Sequence, residues 1–347
     1  MATISRKRAK VLLCAGVVCT VLGAVSGAGA MASGAQVRHA RRAPRVATSA
    51  PVFYVVGYVA NNPFWNAEGK GAVAAGKLFH VTVRYEAPAT ATDAGMISII
   101  DAALGTHPAG IAVDYTDKSM EAVVLKALAD HVPVALYNNN RFEAQSGGAT
   151  TNPAVTSLGF SGQNENTSGA KLADAYLKYL PKTKGGTVLL ANAFPQAYVL
   201  SLRAAGIESV LHGAGYKTAI LNMGPDSVTD EGLIGAYLTA HPGVVGIIGL
   251  SGDIEANAAA QWVQAHHLKL PIATFDVDPQ TVYLMKTVPT YDLALDQQPY
   301  LQGFYAIANL ALQVREGFAP VQVNTGSLLV TKQNLSSVNR LVKEGVD

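Results

Sequence analysis

Residues 51–65 read Pro51-Val-Phe-Tyr-Val-Val-Gly-Tyr-Val-Ala-Asn-Asn-Pro-Phe-Trp65. The run Val52–Val59 carries β-branched and aromatic residues without a polar interruption, the pattern of a strand covered on both faces. Asn62 before Pro63 then reads as a helix start, an amide that caps the first turn and a proline at its first position. A buried strand that turns directly into a helix is the unit of a parallel α/β sheet.

The same alternation extends to the end of the chain. Further strands are expected at Val81–Glu86, Gly110–Asp114, Pro133–Tyr137, Val155–Phe160, Thr187–Ala191, Tyr216–Asn222, Val245–Leu250, Ile272–Phe275, Asp292–Leu295 and Val321–Leu329. Between most of them lie Ala- and Leu-rich stretches of helical period, such as Met96–Leu104, Ser119–Asp130, Ser168–Leu180, Leu200–Leu211 and Glu255–Ala265. This order predicts parallel sheets with helices on both faces, and ligands in such sheets bind beyond the carboxyl ends of the strands.

Composition agrees with buried sheets. Only 14% of the 347 residues are charged, against about 25% in an ordinary soluble domain, and the length suggests roughly two domains. The formal charge of +2 joins unlike parts: residues 1–50 hold eight of the 26 basic residues and none of the 24 acidic ones. The body from Pro51 onward is therefore acidic by six charges, which disfavours nucleic acid as a partner.

Those first residues have the layout of a secretory signal peptide: Arg6, Lys7, Arg8 and Lys10, an apolar run Val11–Val25, then small residues to Ala35. An uncleaved anchor is the alternative, because the apolar and small stretch is long enough to span a bilayer. Residues 36–50 read as a flexible basic tether. Both cysteines, Cys14 and Cys19, lie inside the leader, so a cleaved protein has no thiol for disulfides, nucleophiles or metal ligation. Lipidation of Cys19 is disfavoured by the Val17-Val18 that precedes it.

The predicted strand ends are where the sequence turns polar: Ala60–Trp65, Asp114-Tyr-Thr-Asp117, Tyr137-Asn-Asn-Asn-Arg141, Ser251-Gly-Asp253, Phe275-Asp-Val-Asp278 and Asp296-Gln-Gln-Pro-Tyr300. Carboxylates, amides and aromatic rings on one rim suit a polyhydroxylated ligand. Each also has a plainer reading. Asn62, Asp117 and Asp278 are good helix caps, Phe64 and Trp65 equally suit a core, Asn138–Asn140 suit a polar turn, and Arg203 on a helix suits a solvated charge. His266-His267 lack a second ligand cluster and read as surface residues.

Catalytic motifs are missing. Gly69-Lys-Gly-Ala72 lacks the upstream glycine and hydroxyl of a phosphate loop. Gly159-Phe-Ser-Gly162 and Gly249-Leu-Ser-Gly252 have their second glycine one place early for a nucleophile elbow. No enzyme activity, cofactor or metal is expected.

Taken together, the leader, the alternation and the loop endings resemble the bacterial type I periplasmic sugar-binding proteins, most like the ribose-binding branch of ABC-transporter receptors. The resemblance spans Val52 to Asn334. It rests on Asn61-Asn-Pro-Phe-Trp65, Gly110-Ile-Ala-Val-Asp-Tyr-Thr-Asp117, Tyr237-Leu-Thr-Ala-His-Pro242, Phe275-Asp276 and Asp296-Gln-Gln-Pro-Tyr-Leu-Gln-Gly303, in that order. It implies two Rossmann-like, doubly wound α/β lobes joined by a three-crossover hinge, with crossovers near Gly159–Gly162, Asp296 and Pro320. Segments 52–160 and 297–320 would form the N-terminal lobe, and 161–296 with 321–340 the C-terminal lobe.

The resemblance also implies a site. Asn62, Phe64 and Trp65 would hydrogen-bond and stack a sugar, Asp114 would hold a hydroxyl, and Asn138 and Asn139 stand where the family has an acid–arginine pair. From the second lobe Arg203, Phe275 and Asp276 would contact it, with Gln297 at the hinge. Asp253, beside Gly252, lies where the family has a contacting Asn. These departures shift which hydroxyl pattern is favoured, because unpaired buried polar groups are costly. The function expected is an exported, periplasmic solute receptor, a monomer that binds a monosaccharide or sugar alcohol and delivers it to the membrane subunits of an ABC permease. A sugar sensor for a signalling partner shares every ligand residue. An effector domain of a transcription regulator would need a helix-turn-helix headpiece, and residues 1–50 hold an apolar run instead.

Overall fold

The computed structural model describes residues 50–139, 152–182, 185–224, 226–251, 253–326 and 328–346, with Asp253 by its backbone only. The leader, nearly all of the tether, Cys14, Cys19, Asn140, Arg141, Gly252 and the side chain of Asp253 lie outside the described residues.

The first part of the chain runs β1 (Val52–Val56), α1 (Pro63–Phe79), β2 (Thr82–Glu86), α2 (Asp93–Leu104), β3 (Gly110–Asp114), α3 (Glu121–Ala129), β4 (Val134–Asn138), α4 (Pro153–Thr156) and β5 (Gly159–Gly162). It continues with α5 (Glu165–Tyr176), β6 (Thr187–Asn192), α6 (Tyr198–Gly213), β7 (Lys217–Asn222), α7 (Ser227–Ala240), β8 (Val244–Gly249), α8 (Asp253–Ala265), β9 (Ile272–Phe275), α9 (Pro279–Thr287) and β10 (Tyr291–Asp296). The last elements are α10 (Pro299–Glu316), β11 (Gln322–Asn324), β12 (Leu328–Thr331) and α11 (Leu335–Glu344).

Two six-stranded sheets result, ordered β11-β5-β4-β3-β1-β2 and β12-β10-β9-β8-β6-β7. Every pairing is parallel except β12 against β10. The five-strand body of each sheet has the same doubly wound order, so the molecule is an α/β fold of two lobes built on one plan. In each, the order reverses between the first and third strands, and the crevice beyond those strand ends is the place such sheets offer a ligand.

β1 shows why the strands form. Phe53 and Val55 pack with Ala72, Ile307 and Leu310 on one face, while Tyr54 and Val56 pack with Met96, Ile100 and Val124 on the other. Each such large apolar side chain contributes about 1.5–3 kcal/mol when fully buried. The helices flanking the two sheets meet closely. A Cβ on Gly303 of α10 would lie 2.0 Å from the carbonyl oxygen of Glu68 on α1, and one on Gly169 of α5 would lie 2.1 Å from that of Arg203 on α6. Only glycine permits that approach.

Two expectations are corrected. Val155 belongs to the short helix α4, capped by Asn152, whose Oδ1 accepts from Ala154 N at 3.1 Å, and the strand begins at Gly159. The stretch read as one strand, Val321–Leu329, is two. Gln322–Asn324 pairs with β5 in the first sheet and Leu328–Thr331 with β10 in the second. The break falls at Thr325-Gly326, where Gly326 presses on the Gln163 side chain. The third passage between the sheets therefore lies after Asn324, not near Pro320. Among the described residues no helix is long and apolar enough to cross a membrane.

Candidate functional site

Polar strand ends from both sheets line one cleft. Asn62, Pro63 and Phe64 line it from the first lobe and Asp276, Val277 and Asp278 from the second, with Asp296 and Pro299 where β10 passes into α10. Asn62 is both rim and cap: its Oδ1 accepts from Phe64 N at 3.0 Å and Trp65 N at 3.4 Å. Phe64 is half-buried, whereas Trp65 is 9% exposed. Trp65 packs edge-on to Phe64 at 5.2 Å and beside Tyr58 at 5.9 Å, within the core cluster behind the rim.

Behind that rim, β3 and β4 deliver three polar groups. Asp114 is fully buried, and its Oδ1 accepts from Asn139 N at 3.2 Å and Asn139 Nδ2 at 2.6 Å. Asn138 ends β4 with φ of 59°, a left-handed conformation that Asn tolerates better than most residues. Its Oδ1 accepts from Asn139 Nδ2 at 2.7 Å and its Nδ2 donates to Gln302 Oε1 at 3.1 Å. Gln302, fully buried on α10, also donates from Nε2 to Gln297 O at 3.3 Å. It thereby ties the first-lobe amides to the hinge strand end.

In the second lobe Phe275 ends β9 fully buried, and Asp276 follows with φ of 57°. Gln297 Nε2 donates to Asp276 Oδ1 at 2.7 Å. Arg203 is not a solvated surface charge: it is 3% exposed, with its Cζ 4.1 Å from the centre of the Phe275 ring. Its Nε donates to Glu165 Oε2 at 2.7 Å and its Nη1 to Leu250 O at 2.5 Å. Gln163 Nε2 donates to the same Glu165 oxygen at 2.7 Å. The loop after β8 is fixed by Glu255, whose Oε1 accepts from Ser251 N and Oγ, both at 2.6 Å.

One further acid lies behind the cleft. Glu68 on α1 is fully buried, and neither carboxylate oxygen has a hydrogen-bond partner among the described residues. Burial pushes its carboxyl well above the usual carboxylate range; the charge of Asp114 adds to this, the Asn138 amide opposes it, and Asp276 adds from the second lobe. Burial likewise pushes up the Tyr58 hydroxyl, with the charges of Asp93 and Asp114 adding to it. Among the described residues no group of three His, Cys, Asp or Glu could hold a metal ion.

Residues 53–317 match the periplasmic binding protein domain. The chain belongs to the periplasmic binding protein family. Membership places it outside the cytoplasm, and the family is one of binding proteins. This periplasmic binding protein is similar to the xylose/arabinose-binding protein XylF of Sulfolobus acidocaldarius, with 26% identity over 292 residues, 81% of this chain and 71% of that one. Among solved structures it is similar to an ABC-transporter solute-binding protein from Burkholderia graminis in complex with D-arabinose, with a TM-score of 0.73 and 25% identity over 84% of this chain and 98% of that one. It shares its fold with a carbohydrate transporter from Acidothermus cellulolyticus in complex with myo-inositol, with a TM-score of 0.72 and 24% identity over 86% of this chain and 100% of that one.

The residues expected from the sequence fall into three linked groups. Asp114, Asn138 and Asn139 form one, Asp276 and Gln297 a second, and Arg203 with Phe275 a third. Asn62 and Phe64 reach the cleft, Trp65 backs it, and the side chain of Asp253 lies outside the described residues. Asp117 and Asp278 cap helices, accepting from Ser119 N at 3.1 Å and Thr281 N at 2.5 Å. Sequence reasoning missed Glu165, Gln302 and Glu68. For Glu68 a signal exists: Trp65, Glu68, Ala72 and Ala75 recur at helical spacing, so the acid stands on a core-facing stripe.

Proposed function

We propose that the protein is the exported solute-binding protein of an ABC importer and takes a monosaccharide or sugar alcohol into the cleft between its lobes. The observation that carries this is the convergence of Asp114 with Asn138 and Asn139, and of Asp276 with Gln297, on the carboxyl ends of two sheets of the same order. Carboxylate and amide groups accept from and donate to paired hydroxyls, Arg203 donates from its position over Phe275, and Phe64 covers the C–H face of the ring, with Trp65 behind it. The sugar specificities of the arabinose-binding relatives support the same ligand class.

In this reading residues 52–162, 299–316 and 322–324 move as one lobe and 165–296 with 328–344 as the other. Closure is favoured because a bound sugar touches both rims at once. The protein works as a monomer without catalysis, reaches its place through the leader, and hands its ligand to the permease membrane subunits. Residues 36–50 give reach if the leader stays in the membrane.

The test is a thermal-shift screen with pentoses, hexoses and polyols, since a ligand that binds only the native state raises apparent stability. A rise for at least one of them, lost in Asp276→Ala with the fold retained by circular dichroism, is expected. A screen in which none shifts the melting curve at millimolar concentration overturns the assignment.

A further inference from the structure

Glu68 differs from the other described acids around the cleft. An ionised carboxylate taken out of water without a partner costs several kcal/mol, and the group avoids this by keeping its proton. Among the described residues the surroundings of Glu68 offer no counter-charge. From β2 it is faced by the Tyr85 hydroxyl, itself buried without a partner, and from β3 by Asp114. From β4 come Tyr137 and Asn138, and from the second lobe Asp276. On the α10 side the Glu68 carbonyl abuts Gly303. Two described cations are engaged elsewhere: Lys70 donates to Glu344 O at 3.0 Å, and Arg84 to the Tyr54 hydroxyl at 2.7 Å on the opposite face of the sheet.

Two acids thus share one buried region, and their hydrogen bonds favour ionisation of one over the other. Asp114 accepts two N–H bonds from Asn139, which favour its anion. Glu68 accepts none. The second lobe adds to the imbalance, because Asp276 brings a further negative charge toward Glu68 when the rims stand together. Closure and protonation of Glu68 therefore favour each other.

We propose that Glu68 is a determinant of ligand affinity that acts as a neutral acid, so that sugar binding and proton binding are positively linked. This rests on the sugar-binding reading and deepens it. With Glu68 protonated, Asp114 remains the charged acceptor for a ligand hydroxyl. Loss of that proton puts two like charges behind the cleft, which either moves a proton to Asp114 or admits water between the lobes. Affinity falls as pH rises through the range in which Glu68 ionises, and binding within that range takes up a proton.

The experiment has two arms. Infrared difference spectroscopy of the full chain at neutral pH reads the carbonyl band of a protonated carboxylic acid, expected in the wild type and missing in Glu68→Gln. Calorimetric titration with D-arabinose and with myo-inositol, from about pH 6 to about pH 10 in buffers of different ionisation enthalpy, is expected to show about a tenfold loss of affinity with proton uptake. The Glu68→Gln profile is expected to be flat over the same range. Absence of the acid band in the wild type overturns the proposal whatever binds. A band together with sugar binding that has neither pH dependence nor proton uptake also overturns it. A band with no binding of either probe supports the proton on Glu68 and overturns the sugar reading instead.

Discussion

Glu68 and Arg203 hold corresponding places in the two lobes. Each is the sixth residue of the helix that follows the first strand of its five-strand unit, and each presses its carbonyl on a glycine of the neighbouring helix. Both are buried behind the cleft. Their electrostatic settings are opposite. Arg203 has Glu165 on α5 as a counter-ion, the Leu250 carbonyl as a further acceptor and the Phe275 ring beneath it. Glu68 faces Asp114 and Asp276 and, among the described residues, no cation. The fold tolerates a buried charge where the partner helix supplies its opposite, and elsewhere the same position is filled by a group able to become neutral.

Breaking the second-lobe pair should have the largest effect. Glu165→Gln leaves the Arg203 guanidinium buried without its counter-charge, a change that costs about 3–5 kcal/mol. Urea unfolding should show it as a lower midpoint with an unchanged slope. Sugar binding should be lost with it, since Arg203 then turns to other acceptors. A variant as stable as the wild type would show that the 2.7 Å contact contributes little beyond what solvent offers.

Removing the first-lobe acid should act in the other direction and more weakly. The folded state holds the Glu68 proton more tightly than the unfolded chain, whose value is about 4.3. Its contribution is therefore fully present below that pH and is lost as pH rises toward the raised folded value. Glu68→Leu, which replaces an unpartnered polar group by an apolar one of similar volume, should stabilise the protein at neutral pH by about 1–3 kcal/mol. Near pH 4 the gain should shrink. Melting curves across that range check both statements, and a variant destabilised at neutral pH would mean that Glu68 has a partner it needs.

The contrast between these two residues also marks how far the sequence could be read. Strands such as Gly110–Asp114 and Ile272–Phe275 stand in the structure with the expected bounds, because a continuous apolar run between turn residues is a local signal. Asp114, Asp276 and Gln297 could be singled out because they end such strands. The pairing of Glu165 with Arg203 joins residues 38 apart in the chain. In sequence Glu165 is only an acid in the first turn of a helix, a common placement that favours the helix dipole. Gln302 lay within a motif singled out for resemblance, but its bridge to Asn138 spans 164 residues. The division of Val321–Leu329 between two sheets follows from what each half finds to pair with, which no local pattern records.

The smallest effect separates two roles of one residue, again by comparing the lobes. Helix α1 is capped by Asn62, whereas α6 starts after Ala197 with no side-chain cap. Asn62→Ala would make the two starts alike and cost about 1 kcal/mol. Asn62→Asp is the sharper change, because a carboxylate oxygen still accepts from Phe64 N and Trp65 N and suits the helix N-terminus. The melting temperature should then stay within about 1 °C of the wild type. The amide donor on the cleft rim is gone, however, and a charge stands near the Asp276 side of the cleft, so calorimetry should read a Kd raised by about tenfold, the equivalent of one hydrogen bond. An unchanged Kd in Asn62→Asp would assign Asn62 to the cap alone and leave the ligand contacts of the start of α1 to Pro63 and Phe64.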